Sequence, residues 1–221
     1  ARYRISPAQL QELIARLDRD YPAGINQGAD GMTTLTVYGE RASAATLRSL
    51  PLGDSVTLGD VARARGEWAQ AAEYYQDSLG GHTQLGDKHG TAWAHYGLAV
   101  IAYRQADLAQ ATIRLQTCLT LLSEVGDSGG LPWALQTLGY VKLAQGNERG
   151  AALDFEVALQ LAQPLDHSVT VAMCFPGLAL VSIGQQQPDR AARLIGAAQA
   201  QRPALKDVGS AADVAEFDRV L

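Results

Sequence analysis

The sequence predicts an all-α fold: a right-handed α-solenoid of about four helical hairpins with a 40-residue period, preceded by an N-terminal cap. Three observations carry that expectation. First, apolar and small residues recur in register at a spacing of 40, as in Leu58, Leu98, Leu138 and Leu178, or Ala71, Ala111, Ala151 and Ala191. Second, within each copy the apolar residues follow helical spacing on either side of a short polar turn. Third, the 221 residues are 47% hydrophobic and 19% charged, with a mean hydropathy of −0.06, the composition of a globular chain with a real core.

Residues 1–51 stand outside the repeat and form the expected cap segment. Ser6 and Pro7 suit the N-cap and first position of a helix that runs to about Asp20. YPAGINQGADG is rich in turn formers, while MTTLTVY (32–38) carries β-branched residues and reads as a short strand or extended segment. ERASAATLRSL reads as helix. A solenoid end needs such a cover, because its first hairpin otherwise exposes an apolar face.

The repeat domain is expected over 52–221, with hairpins to about 202 and a further helix near 211–220. Gly59, Ala99, Gly139 and Ala179 are small where two helices should approach closely. Tyr75, Leu115, Phe155 and Ile195 are bulky and should fill the space between hairpins, followed three residues later by Ser78, Cys118, Ala158 and Ala198. Gly66, Ala106, Gly146 and Gln186 mark the turn inside each hairpin. One hairpin cannot bury its own apolar face, so stacking is obligatory. Pro176 falls where a helix interior is expected, so the fourth hairpin's first helix is expected to start late, near Phe175, or to bend.

The L-G/A … A … F/Y … A series resembles the tetratricopeptide repeat, lengthened to 40 residues by a longer loop and helix. The connectors LGDKHG (85–90), VGDSGG (125–130) and LDHSVT (165–170) align, with Asp87, Asp127 and Asp166 as N-cap or turn residues. Toward the C-terminus, CFPGLALVSIGQQQPDRAARLIGAAQAQR (174–202) and AADVAEFDRVL (211–221) resemble the end of the helical arrays in MalT-like, LuxR-type bacterial regulators and related signalling ATPases. The resemblance implies a sensor or scaffold region of such a regulator. The ATPase and DNA-binding parts are not expected in this segment, which has no G-x-x-x-x-G-K-[ST] and no G-x-G-x-x-G.

GDSGG (126–130) invites a different reading. Alone it matches the surroundings of a protease nucleophile and the G-x-S-x-G elbow of hydrolases, with Ser128 as nucleophile and His82, His89 or His95 as base. An elbow serine needs a strand before it, whereas ATIRLQTCLTLLSEV before Ser128 reads as helix. Ser128 is therefore expected in a connector, and the chain is expected to be no enzyme.

Further classes recede on charge and ligand pattern. A formal charge of −5 and a pI near 5.3 argue against a nucleic-acid surface in this segment. No apolar run is long enough to span a membrane, and no signal-peptide core opens the chain. Cys118 and Cys174 sit in apolar helical patterns and suit buried thiols in a reducing cytoplasm. His82, His89, His95 and His167 occupy different repeat positions, so neither a metal nor a cofactor is expected.

In a tetratricopeptide hairpin the first helix lines the concave face. Taking Leu52, Ala92, Pro132 and Ala172 as first positions, the second, fifth, ninth, twelfth and thirteenth residues should face the groove. The first hairpin supplies Asp60 and Arg63; the second supplies Trp93, Tyr96, Val100, Tyr103 and Arg104. The third supplies Trp133, Gln136 and Tyr140, and the fourth Met173. Two functions fit such a face. One is a protein-interaction scaffold holding a peptide or protein domain, the usual role of a solenoid's inner face. The other is a sensor whose sugar or metabolite stacks on Trp93, Tyr96 and Trp133, with an arginine holding an acidic group.

Overall fold

The computed structural model describes residues 23–27, 33–37, 58–165, 167–208 and 217–218. The expected helices opening at Ser6 and within ERASAATLRSL, the position of Leu52, the turn residue Asp166 and most of the C-terminal helix lie outside the described residues.

Strand β1 (Ala23–Gln27) pairs antiparallel with β2 (Thr33–Val37), in the register Ala23 with Val37 through Gln27 with Thr33. The expected extended segment is thus a strand, but part of the turn-rich stretch before it is one too. A lone strand leaves its backbone donors and acceptors without a ladder, and Ala23–Gln27 supplies that ladder despite its weak β-propensity.

The other described residues form helices and their short connectors. Hairpins form from α1 (Leu58–Ala64) with α2 (Trp68–Leu85), α3 (Lys88–Arg104) with α4 (Leu108–Val125), α5 (Gly130–Ala144) with α6 (Glu148–Ala162), and α7 (Ser168–Gly184) with α8 (Pro188–Val208). Each helix packs on the next in sequence, and α5 also packs on α7. The molecule is an all-α helical-repeat solenoid over these residues, with one apolar core per hairpin junction.

Local chemistry sets the boundaries. Inside every hairpin one residue takes a left-handed backbone: Gly66 (φ 76°), Ala106 (61°), Gly146 (76°) and Gln186 (58°). These are the four turn positions of the register. Asp107 and Asn147 then cap α4 and α6, accepting the amides of Gln110 and Gly150. Between hairpins, Gly86 and Gly126 close α2 and α4 in the left-handed conformation. The Asp87 carboxylate caps α3 through the Gly90 amide, and Asp127 accepts from both Gly129 and Gly130. The third connector has no such glycine, and a 3-10 turn over Gln163–Leu165 takes its place.

Packing between hairpins follows a two-repeat alternation that the 40-residue register conceals. The Phe155 ring lies against Gly139 of its own hairpin and Gly177 of the next, so close that a methyl group on either glycine would overlap it. Tyr75 sits in the same way between Gly59 and Gly97. In the intervening junction the knob is smaller, Leu115, and the corresponding places hold Ala99 and Thr137. Knob and socket volumes change together, as close packing requires.

The expectation that α7 starts late is corrected. It runs unbroken from Ser168 to Gly184 with Pro176 inside it. Tertiary contact makes this tolerable: the Tyr140 hydroxyl of α5 donates to the Met173 carbonyl, supplying a donor beside the backbone site that the proline disrupts. At the far end, Phe217 is fully buried in the last core, and Arg202 holds Asp218 through two bonds of 2.7 Å.

Candidate functional site

The odd-numbered helices bring one face of each hairpin to a common depression of about 60 Å3. Arg63 from α1, Tyr96, Val100, Tyr103 and Arg104 from α3, Trp133, Gln136 and Tyr140 from α5, and Met173 from α7 all line it. These nine come from the periodic reading of the first helices. Two of the expected eleven do not reach the wall. Asp60 is turned to other work: its Oδ1 accepts the Tyr75 hydroxyl at 2.6 Å and lies 3.8 Å from the Arg63 guanidinium. Burial, and then the Asp60 charge, push the Tyr75 phenol well above its usual range, so Tyr75 is a fixed donor.

Trp93 likewise does not line the depression. It meets Tyr96 edge to face at a centroid distance of 5.6 Å, and its indole N–H donates to His89 Nε2 at 3.1 Å. The same Nε2 lies 3.0 Å from Asp127 Oδ2. One nitrogen cannot accept from Trp93 and donate to Asp127 together, so the ring's tautomer decides which contact is a hydrogen bond. Either way Trp93 braces Tyr96, whose hydroxyl approaches Thr137 Oγ1 at 3.4 Å.

Two lining residues escaped the periodic reading. Thr137 occupies the place next to Gln136, outside the chosen positions, with its hydroxyl donating to the Trp133 carbonyl. Trp68 is the first residue of α2, a second helix, and lies beneath Arg104, whose guanidinium carbon is 5.3 Å from the ring centroid. No helical period signals it, because a residue at a helix start reaches around the end of the hairpin. The lone tryptophan just after the Gly66 turn was the available clue. The guanidinium above it is held by cation–π attraction.

Around this depression, the eleven lining residues include four tyrosine or tryptophan rings from α3 and α5, two arginines and no carboxylate. Its volume corresponds to about four to six waters, room for one large side chain. Among the described residues, no group of three His, Cys, Asp or Glu side chains is placed to hold a metal ion. Both cysteines are free and buried, and burial pushes each thiol up to about 12; for Cys118 the Asp127 charge adds to it. Neither is a poised nucleophile.

Ser128 is exposed in the connector between α4 and α5, with helix on both sides. Its amide donates to the Gly126 carbonyl, and the neighbouring Asp127 serves the turn and His89. GDSGG is here a helix-to-helix joint, and the strand-to-helix elbow that exposes a hydrolase serine is not formed.

A stack of antiparallel helical hairpins with a ring-lined inner face defines the class of helical-repeat proteins. Residues 54–124, spanning α1 to α4, match the family model described as "Tetratricopeptide repeat". The chain therefore carries a tetratricopeptide-repeat region, and the same register continues through α5 to α8. Among curated proteins no sequence matches the chain. Among the described residues, no helix is long and apolar enough to cross a membrane.

Proposed function

We propose that the chain is a non-catalytic protein-interaction scaffold that holds a segment of polypeptide against the inner face of its odd-numbered helices. The observation that carries this reading is the convergence of Tyr96, Tyr103, Trp133 and Tyr140, from two successive hairpins, beside Arg63 and Arg104. Tyrosine, tryptophan and arginine are the residues that dominate protein-interface energetics, because they combine large buried area with a polar handle. Tetratricopeptide repeats generally bind protein partners, and a depression with room for one side chain suits a partner's anchor residue.

The resemblance of 174–202 and 211–221 to MalT-like arrays supports a finer version, in which this scaffold is the regulatory region of a bacterial transcriptional regulator or signalling ATPase. The free buried thiols Cys118 and Cys174 support a cytoplasmic setting, and the acidic balance supports a segment without direct nucleic-acid contact. A second reading, a sugar or metabolite effector, draws on the same rings, which could stack on a flat ligand.

Photo-crosslinking tests the scaffold reading. A benzophenone side chain at Val100 should give polypeptide adducts in the expressing cell, and one at the outward-facing Ile113, 55% exposed on α4, should not. Adducts from Ile113 alone would overturn it. A metabolite that raises the melting temperature saturably, with the gain lost in Trp133→Ala, would favour the effector instead.

A further inference from the structure

The inner face changes character along the array. One row of equivalent places, 40 residues apart, reads Arg63, Tyr103, Leu143 and Ile183; the next reads Asp60, Val100, Tyr140 and Leu180. The rows begin in charged groups and end in aliphatic ones. At the charged end Arg104 adds an exposed guanidinium to the part-buried one of Arg63, and Asp60 is engaged by Tyr75 and Arg63. At the far end Leu180 and Ile183 are 40% and 55% exposed, although they sit on a helix whose other residues are largely buried. The chain carries a net charge of −5, yet the lining of the central depression holds two arginines and no acid.

We propose that this face is a polarised docking track for an extended peptide segment, taking a carboxylate at Arg63 and Arg104 and apolar side chains at Leu180 and Ile183. The inference rests on the scaffold reading and adds to it the chemistry of the occupant. Arginine favours carboxylates through paired, charge-assisted hydrogen bonds, and the flat rings between the two ends tolerate many side chains. Spacing follows from helix geometry. Neighbouring packed helices lie about 8–10 Å apart, so two steps from α3 to α7 cover about 20 Å. An extended chain advances about 3.3–3.6 Å per residue, which separates the acidic group from the apolar one by about six residues.

Exposed aliphatic residues at the end of a repeat array have a plain alternative, an end surface that meets nothing. Charge reversal separates the two. Fluorescence polarisation would compare labelled ten-residue peptides against the full chain, in both chain directions. One set carries two acids and, six positions on, Leu-Phe; a second replaces the acids with lysines; a third shortens the spacing to two.

The six-residue acidic set should bind at least about tenfold more tightly than the other two, in one chain direction, as expected for a charge-assisted contact. Arg104→Glu should transfer the preference to the lysine set, and Ile183→Asp should weaken binding without reversing it. Both side chains are exposed, so both variants should keep the helical circular dichroism of the parent. Equal affinity for all three sets would overturn the polarised track and leave a general polypeptide groove standing. Failure of every set to bind, with adducts still forming at Val100, would overturn the track alone. Failure of both would overturn the scaffold reading as well.

Discussion

The Tyr140 hydroxyl of α5 donates to the Met173 carbonyl of α7, three residues before Pro176 in the same helix. Pro176 lacks the amide that would bond the Ala172 carbonyl, and its ring crowds the turn before it. A neighbouring hairpin thus supplies a donor where the helix is weakest. Tyr140 also lines the inner face, so one residue joins the fold of the fourth hairpin to the wall of the groove.

Tyr140→Phe should cost about 0.5–1.5 kcal/mol, the usual net contribution of one hydrogen bond. In a Pro176→Ala background the cost should fall by about 0.5 kcal/mol or more, because residue 176 then regains the amide that bonds the Ala172 carbonyl and the turn leans less on the tyrosine. Urea unfolding of the four proteins measures the coupling. Strict additivity would mean that the tyrosine does not serve the proline-disrupted turn.

Volume matching between hairpins makes a second prediction. Gly177→Ala should destabilise by about 1–2 kcal/mol, overpacking against Phe155 outweighing the better helix propensity of alanine. Phe155→Leu with Gly139→Ala and Gly177→Thr copies the Leu115 junction and should recover most of that loss. Thermal unfolding checks it, and a triple variant less stable than Gly177→Ala would refute the matching.

Left-handed turns offer a gain. Ala106 and Gln186 adopt positive φ at about 1–2 kcal/mol each, while glycine's extra chain entropy costs about 0.5–1. Ala106→Gly and Gln186→Gly should therefore each raise stability by about 0.5–1 kcal/mol. Gly66→Ala and Gly146→Ala should lower it. Denaturant midpoints would show four shifts of these signs.

The acid limb of stability has an identifiable contributor. Burial works to raise the Asp87 carboxyl, but the Gly90 amide bond and the charge and hydrogen bond of His82, 2.8 Å away, outweigh it and hold the group lower than usual. A lowered folded pKa gives stability that is present at neutral pH and is lost as pH falls below about 4. Asp87→Asn keeps a capping oxygen and loses the carboxylate. It should be less stable than the parent at pH 7 and converge with it in strong acid. Asp154 acts in the opposite sense: burial raises its carboxyl despite Lys142 at 2.7 Å, so its contribution weakens as pH rises through the raised value.

Periodicity made the hairpins, their four turns and most of the inner wall legible, because each depends on one residue type recurring at a fixed place. What it could not show came from contacts between places. Asp60 and Trp93 occupy groove positions by register, but their side chains engage Tyr75 and His89 and neither lines the depression. Trp68 enters the site from a second helix, around a turn, where the first-helix register has nothing to say. Pro176 reads as a helix breaker until Tyr140, 36 residues earlier in the chain, is seen to donate beside it. The pairing of Ala23–Gln27 with Thr33–Val37 was similarly hidden in a segment of poor strand formers.

Hydrogen exchange with the acidic–apolar peptide bound is the most direct test of the inner-face account. At saturation, amides in the second halves of α3 (Lys88–Arg104), α5 (Gly130–Ala144) and α7 (Ser168–Gly184) should slow together. Those in α4 (Leu108–Val125) and α6 (Glu148–Ala162) should be unchanged. Protection confined to α4 and α6 would contradict the account, placing the partner on the outer surface.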